Sequence, residues 1–400
     1  MMRRRRGLLV AAVRRTALAA AAVSLASGCA YFGPQMPVDT LRATPQPGGA
    51  LLDTGAYPTT ASSPPGTAGP GWLGRVLEGH RMANYVVVPS QVDPRLTRAI
   101  PQNTNTLQTA DDLPAPLDED DRKAFIVGFS TARSSAARQV LINIVLRFTT
   151  AAAAADVAGD TAALYARTTG TPHGGTVSIP GGRLTLAFAS ETAEGAELHS
   201  VTPHGPYVLF QYARSKQGVN DAITLVSKTL DMQEPLIDQF VPDDPSRFAD
   251  LPTDETGLLS RTLPDPDVPA GGFVYQPRAA LHFQDDSAKA ATMFAASGVL
   301  AVSAGKSTVY EAADPSTAQG LADSFAADRH NDGYRPAAPV NGLPVRCFDG
   351  GRDNGASPRN FYCIGSARRY VYEIFSTDQV DAHRQVAAQY RLLMQTDQRW

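Results

Sequence analysis

Val140-Leu141-Ile142-Asn143-Ile144-Val145-Leu146-Arg147-Phe148 decides the fold, together with the Ala-rich run from Ala151 to Arg167 that follows it. Val140, Ile142, Ile144, Leu146 and Phe148 recur at every second position, the period of a strand with one apolar face. Ala151 to Arg167 then has high helix propensity. This pair opens a series. Leu184, Leu186 and Phe188 alternate, then Ala196 to Val201, then Tyr207 to Tyr212, which gives three more strands joined by turns. Asp221 to Gln233 reads as a closing helix, limited by Pro235.

The series recurs. Thr308 to Glu311 reads as a strand, and Asp314-Pro315 caps a helix that runs to His330. Val345 to Phe348, Asn360 to Ile364 and Arg369 to Phe375 follow as strands. Ser376 with Gln379 makes a capping box for a last helix that buries Val386, Tyr390 and Leu393. Tyr207-Val208 and Tyr370-Val371 begin the last strand of each series, at an offset of 370 − 207 = 163 residues. Leu146 and Val309 end the first strands at the same offset. Helices 151–167 and 221–233 map onto 314–330 and 384–396. Identity is low, so element order and spacing carry the inference. The expected fold is α+β: two tandem related modules, each strand-helix-strand-strand-strand-helix with a mostly antiparallel sheet.

Other segments read less regularly. Trp72, Leu73, Val76 and Leu77 fall at helical spacing, and Asn84 to Pro89 reads as a buried strand. Pro101 to Thr109 reads as a loop. Leu117-Asp118-Glu119-Asp120-Asp121 opens a helix whose acids complement its dipole, and that helix is expected to carry Gly128-Phe129-Ser130-Thr131-Ala132. Ala279 to Phe283 reads as a strand, and Ser287 to Ala296 as a helix ended by Gly298.

The N-terminus carries an address. Arg3 to Arg6 are basic, Thr16 to Ser24 is short, Ala-rich and uncharged, and Leu25-Ala26-Ser27-Gly28-Cys29 follows. That is the pattern of a secretory signal, too short to span a bilayer permanently. The stretch resembles the lipobox of bacterial lipoproteins, although Ala26 stands where Leu is commoner. The resemblance implies acylation of Cys29 and anchoring to the bilayer through its lipid chains. Arg14-Arg15 leaves export by the Sec or the twin-arginine route open. The expected organisation is a signal peptide at 1–28, a Pro/Gly-rich tether at 29–71, one α+β domain at 72–241, a linker at 242–272 and a second domain at 273–400.

The chain has 400 residues, 43% of them hydrophobic, and a net charge of −3. Two domains can therefore bury cores, and no basic field exists to attract nucleic acid. If Cys29 is lipidated, Cys347 and Cys363 remain as a pair in an oxidising compartment, and a disulfide is expected.

Motifs for chemistry are weak. Gly305-Lys306-Ser307 lacks the first glycine of a phosphate loop, since position 300 is Leu300, and it precedes a strand. Ser303-Ala304-Gly305-Lys306 matches S-x-x-K without its partner motifs. Gly128 to Ala132 is one residue short of a nucleophile elbow. Thr-Pro-His-Gly occurs at 171–174 and 202–205 and reads as two turns; the alternative is that His173 and His204 converge at one end of a sheet. His80, His199, His282, His330 and His383 are scattered. Glu191, Glu194 and Glu197 read as solvated surface. No catalytic, metal or cofactor residue is expected.

The lipobox, the tether, the tandem halves and the Cys347–Cys363 pair together resemble a family of actinobacterial lipoproteins of unknown function, found in mycobacteria and nocardiae. The module order also resembles the extracellular sensor domains of mycobacterial serine/threonine kinases. Neither resemblance implies an activity. The function expected is binding of an envelope ligand or protein at the outer face of the plasma membrane, in a groove between the halves; the alternative is an envelope hydrolase.

Overall fold

The computed structural model describes residues 52–63, 65–168, 174–340, 342–351 and 360–395. In the first half, α1 (Leu73–Ala83), α2 (Pro89–Val92), β1 (Arg98–Ala99), β2 (Asn105–Leu107) and α3 (Glu119–Ala124) precede β3 (Phe125–Ser134) and β4 (Val140–Phe148). Then come α4 (Ala151–Thr168), β5 (Gly174–Val177), β6 (Leu186–Thr192), β7 (Gly195–His204), β8 (Tyr207–Ser215) and α5 (Val219–Ile237). The second half runs β9 (Phe273–Tyr275), α6 (Pro277–Ala280), α7 (Ser287–Ser297), β10 (Ala301–Ala304), β11 (Ser307–Glu311) and α8 (Pro315–Asn331). It ends with β12 (Arg335–Pro336), β13 (Val345–Asp349), β14 (Phe361–Ala367), β15 (Tyr370–Ser376) and α9 (Gln379–Met394).

The duplication is visible in the sheets. One has the order β1-β3-β4-β8-β7-β6-β5, with β2 also on β3, and the other, read in the matching sense, β9-β10-β11-β15-β14-β13-β12. Every pairing is antiparallel. The register corrects one offset. Arg147 pairs with Tyr207 and Glu311 with Tyr370, so the first strands lie 311 − 147 = 164 residues apart, not 163. A one-residue slip exchanges the two faces of a strand, which an alternating pattern alone does not resolve.

β4 has two buried faces rather than one. Ile144, Leu146 and Phe148 pack with Val157 and Ala158 of α4, while Leu141 and Val145 pack with Leu225 of α5 on the other side. Its inward polar groups are therefore paired, as burial demands. Arg147 meets the buried Glu78 at 2.7 Å. Asn143 Nδ2 donates to Gln233 Oε1 and to the Val87 carbonyl. Gln233 also bridges the backbone of the incoming segment, accepting from Val87 N–H and donating to Tyr85 O, both at 2.9 Å. Gln389 does the same in the second half, accepting from Leu263 N–H at 3.0 Å and donating to Arg261 O at 2.7 Å.

Several expectations are corrected. Val86 to Val88 are buried but form no strand, because glutamine and asparagine side chains hold their backbone. The acidic helix stops at Ala124, and Gly128 to Ala132 lie in β3. Pro101 to Thr109 contains β2. Residues 279–283 are helical. The last helix is capped by Asp378, which accepts from Asp381 N–H, rather than by Ser376. Pro235 sits inside α5, which continues to Ile237. The stretch 242–272 is wound into short 3-10 turns that bury Phe248, Leu259 and Leu263.

The described part of the expected tether lies on the fold. Tyr57 OH donates to Asp381 at 2.6 Å, Arg384 pairs with Asp53 at 2.9 Å, and Gln395 Nε2 donates to Thr59 O. Residues 52–63 thus strap α9, and Ala68 and Gly69 bond to Leu251 and Ala249.

The two halves also share a core, so the expected groove between them is filled. Arg133, fully buried, donates to the carbonyls of Leu281, His282 and Asp285. The His282 ring bridges Thr131 Oγ1 and Ala83 O, and burial pushes its pKa down to about 3. Ser90 and Ser287 hydroxyls meet at 2.7 Å.

Candidate functional site

Cys29 and His173 lie outside the described residues. Cys347 and Cys363 are cross-strand neighbours on β13 and β14, on the face covered by α9, with sulfurs 2.00 Å apart. The matching pair in the first half is Ala187 and Ser200. Ser200 Oγ donates to Gln211 Oε1, and Gln211 Nε2 to Asn143 Oδ1. A buried ladder of hydrogen bonds runs where the second half has its cysteines.

The weak motifs stay apart from one another. Gly305 and Lys306 form the turn between β10 and β11, Ser303 is buried against Thr262 Oγ1, and Ser307 Oγ donates to Gln389. His204 Nε2 lies 2.7 Å from Asp238. Asp118, Asp121 and Asp160 bring carboxylate oxygens within 4.8 Å of one another. Asp118 spends its oxygen capping α3, and burial with the neighbouring acids raises Asp121.

The structure does open a cavity of about 380 Å³ between α4 and the first sheet. That size suits a small ligand. Alternation on the sheet builds its floor, with Ile142 and Ile144 from β4 and Phe210 and Tyr212 from β8. His199 of β7 stands opposite Tyr212, and Tyr165 of α4 stacks on the imidazole at 4.3 Å. The loop at 102–105 supplies a rim of amides from Gln102, Asn103 and Asn105. Ser130 Oγ, in the same wall, donates to Asn103 O at 2.7 Å.

Burial sets the electrostatics. It lowers the His199 pKa, with Glu197 opposing, which favours the neutral ring; its Nδ1 is buried without a partner. Burial pushes Tyr165 up to about 12. Tyr212 is raised further by burial and by the Glu197 carboxylate beside it. These hydroxyls remain protonated at any physiological pH and can both donate and accept.

Residues 65–253 match the N-terminal and residues 253–396 the C-terminal domain of unknown function DUF7373. The chain belongs to the DUF7373 family. Curated proteins give no match. Among solved structures, the extracellular domain of PknH from Mycobacterium tuberculosis is similar at 14% identity, over 38% of this chain and 94% of that one, with a TM-score of 0.27; a likeness that slight carries no argument.

In this DUF7373 chain the C-terminal domain fills the equivalent place. Tyr362 and Glu373 occupy the positions of His199 and Phe210, as the pairs Tyr362–Phe375 and Thr308–Glu373 show against His199–Tyr212 and Ile144–Phe210. Arg329 stands as far along α8 as Tyr165 along α4. Its guanidinium lies 4.8 Å over the Tyr362 ring. Glu373 accepts from Tyr310 OH at 2.7 Å and from Tyr362 OH. Where the N-terminal domain is open, this one is a closed polar network.

Sequence reasoning passed over the cavity. His199 read as scattered, Tyr165 lay within the expected helix at 151–167, and Phe210 and Tyr212 within the expected strand at 207–212. The available signal was that Phe210 and Tyr212 share one face of β8 with the alternate residues of β4. Nothing local shows that α4 leaves that face partly uncovered.

Proposed function

We propose that the protein is a lipoprotein held at the outer face of the plasma membrane through acylated Cys29, and that its N-terminal DUF7373 domain binds a small envelope ligand without changing it. The observation that carries this is the cavity of about 380 Å³ with its aromatic wall and amide rim. The Ser130 hydroxyl there gives its proton to a backbone carbonyl, so it is not aimed at a base. Cys29 stands 52 − 29 = 23 residues before Leu52, where the described strap begins. At roughly 3 Å per residue, that length lets the domain work several nanometres from the bilayer.

The test has two arms. Detergent phase partition of the expressed chain should place wild type with the lipid phase and Cys29→Ala in the aqueous phase or as uncleaved precursor; a Cys29→Ala protein fully in the detergent phase sinks the anchor. Native mass spectrometry after incubation with envelope extract should show a retained small molecule, lost in Tyr165→Ala. Turnover of an envelope ester or glycan that His199→Ala abolishes would replace binding by hydrolysis.

A further inference from the structure

Resting on the binding reading above, we propose that the cavity takes a neutral sugar ring of a glycan, stacked on the aromatic wall and hydrogen-bonded by the amide rim. Charge narrows the ligand first. Of the lining residues only Asp112 is ionic, and its Oδ2 already accepts from Gln108 N–H, Thr109 N–H and Thr109 Oγ1. Among the described residues, no lysine or arginine lines the cavity. A phosphate, sulfate or carboxylate would lose its hydration there and gain no charged donor in return.

A cation is disfavoured by the spacing of the rings. A quaternary ammonium is held in a box of separate aromatic faces, each within about 6 Å of the charge. Here Tyr165 and His199 are stacked at 4.3 Å, His199 and Tyr212 lie 5.0 Å apart, and Tyr165 and Phe210 5.7 Å. These rings pack against one another along one wall, so they do not stand apart as the faces of a box. The half-buried Tyr165, His199 and Tyr212 suit contact with the weakly positive C–H groups of a sugar ring.

An acyl chain is disfavoured by the polar groups. The Gln102, Asn103 and Asn105 residues line the cavity. Covering their side-chain amides with hydrocarbon would strand hydrogen bonds they now make with water. Ring hydroxyls, each both donor and acceptor, would satisfy them instead. The volume lies at the small end for ligand sites, which suits a short segment of glycan.

The full chain should be applied to an array of neutral oligosaccharides built from glucose, mannose, galactose and arabinose, beside uronate-containing and sulfated glycans. Dodecanoate and choline serve as soluble probes. The expected result is binding of at least one neutral glycan, weakened tenfold or more by Tyr212→Ala and by Asn105→Ala, and unchanged by Phe375→Ala at the matching exposed position of the C-terminal domain. Thermal melting of each variant separates lost binding from lost folding, and the rim variant keeps the test valid if Tyr212→Ala does not fold. If dodecanoate, choline or an anionic glycan binds with the same dependence on Tyr212 and Asn105 while neutral glycans do not, the sugar assignment falls and the cavity reading stands. If no probe binds in a manner sensitive to either residue, and no extract ligand is retained, both fall.

Discussion

The two domains solve one structural problem in opposite ways. Each has a helix crossing a twisted antiparallel sheet, and each meets a gap beneath the last turns of that helix. The N-terminal domain lines the gap with Tyr165, His199, Phe210 and Tyr212 and leaves it open. The C-terminal domain closes it with Arg329, Tyr362 and Glu373, and Tyr310 adds a hydroxyl to the carboxylate. Burial raises Glu373 to about 7, while the two tyrosine hydroxyls and Arg329 oppose that shift. A scaffold copied twice can thus spend the same position on an open cavity in one copy and on packing in the other. Aromatic groups that are neutral tolerate an opening; a buried carboxylate must have every partner in place.

The sharpest way to break this comparison is to delete the closing group. Glu373→Ala leaves two buried tyrosine hydroxyls without their acceptor and should cost about 3–5 kcal/mol. Tyr165→Ala, at the open site, should cost about 1–2 kcal/mol. Equal losses in urea unfolding of the two variants would mean that the sites do not differ in kind.

The cysteine position offers a second contrast. Replacing both Cys347 and Cys363 by alanine should destabilise the C-terminal domain by about 3 kcal/mol through the unfolded state. The counterpart Ser200→Ala should cost about 1 kcal/mol, the worth of a single hydrogen bond. Two free thiols titrating in the exported, folded protein would remove the disulfide from this account.

Glu373 also sets a pH slope. Glu373 is raised in the folded state above its unfolded value, so the fold favours its protonated form. Its stability contribution is fully present below the unfolded pKa and is lost as pH rises through about 7. Between pH 4.5 and pH 7 the wild type should lose about 2–3 kcal/mol relative to Glu373→Gln. A wild type and variant with parallel pH profiles would show that folding does not raise the Glu373 pKa.

Much of this fold is legible from the chain. The alternation of Val140 to Phe148, the Asp314-Pro315 start of α8 and the spacing of Tyr207 and Tyr370 are local signals that need no partner to be read. Segments held by tertiary contacts misread. Val86 to Val88 look like a strand because they are apolar, but Gln233 and Asn143 satisfy their backbone in place of a neighbouring strand. Ala279 to Phe283 looks extended, but the carbonyls at its C-terminal end are received by Arg133 from the other domain, which favours a tight turn. The candidate site was the least legible part. Its residues come from α4, β2, β3, β4, β7, β8 and the segment before β2, and no pair of them forms a motif.

The sequence by itself determined the class, the repeat and the likeness of Leu25 to Cys29 to a lipobox, because periodicity, capping and spacing act over a few residues. Only the tertiary structure decided which of two equivalent faces stays open. That choice depends on whether aromatic rings or a buried carboxylate with its donors occupy positions facing the same helix, and on the sealing of the junction between the domains by Arg133 and His282. Those are contacts between residues far apart in the chain, and their energies exist only once the sheets and helices have met.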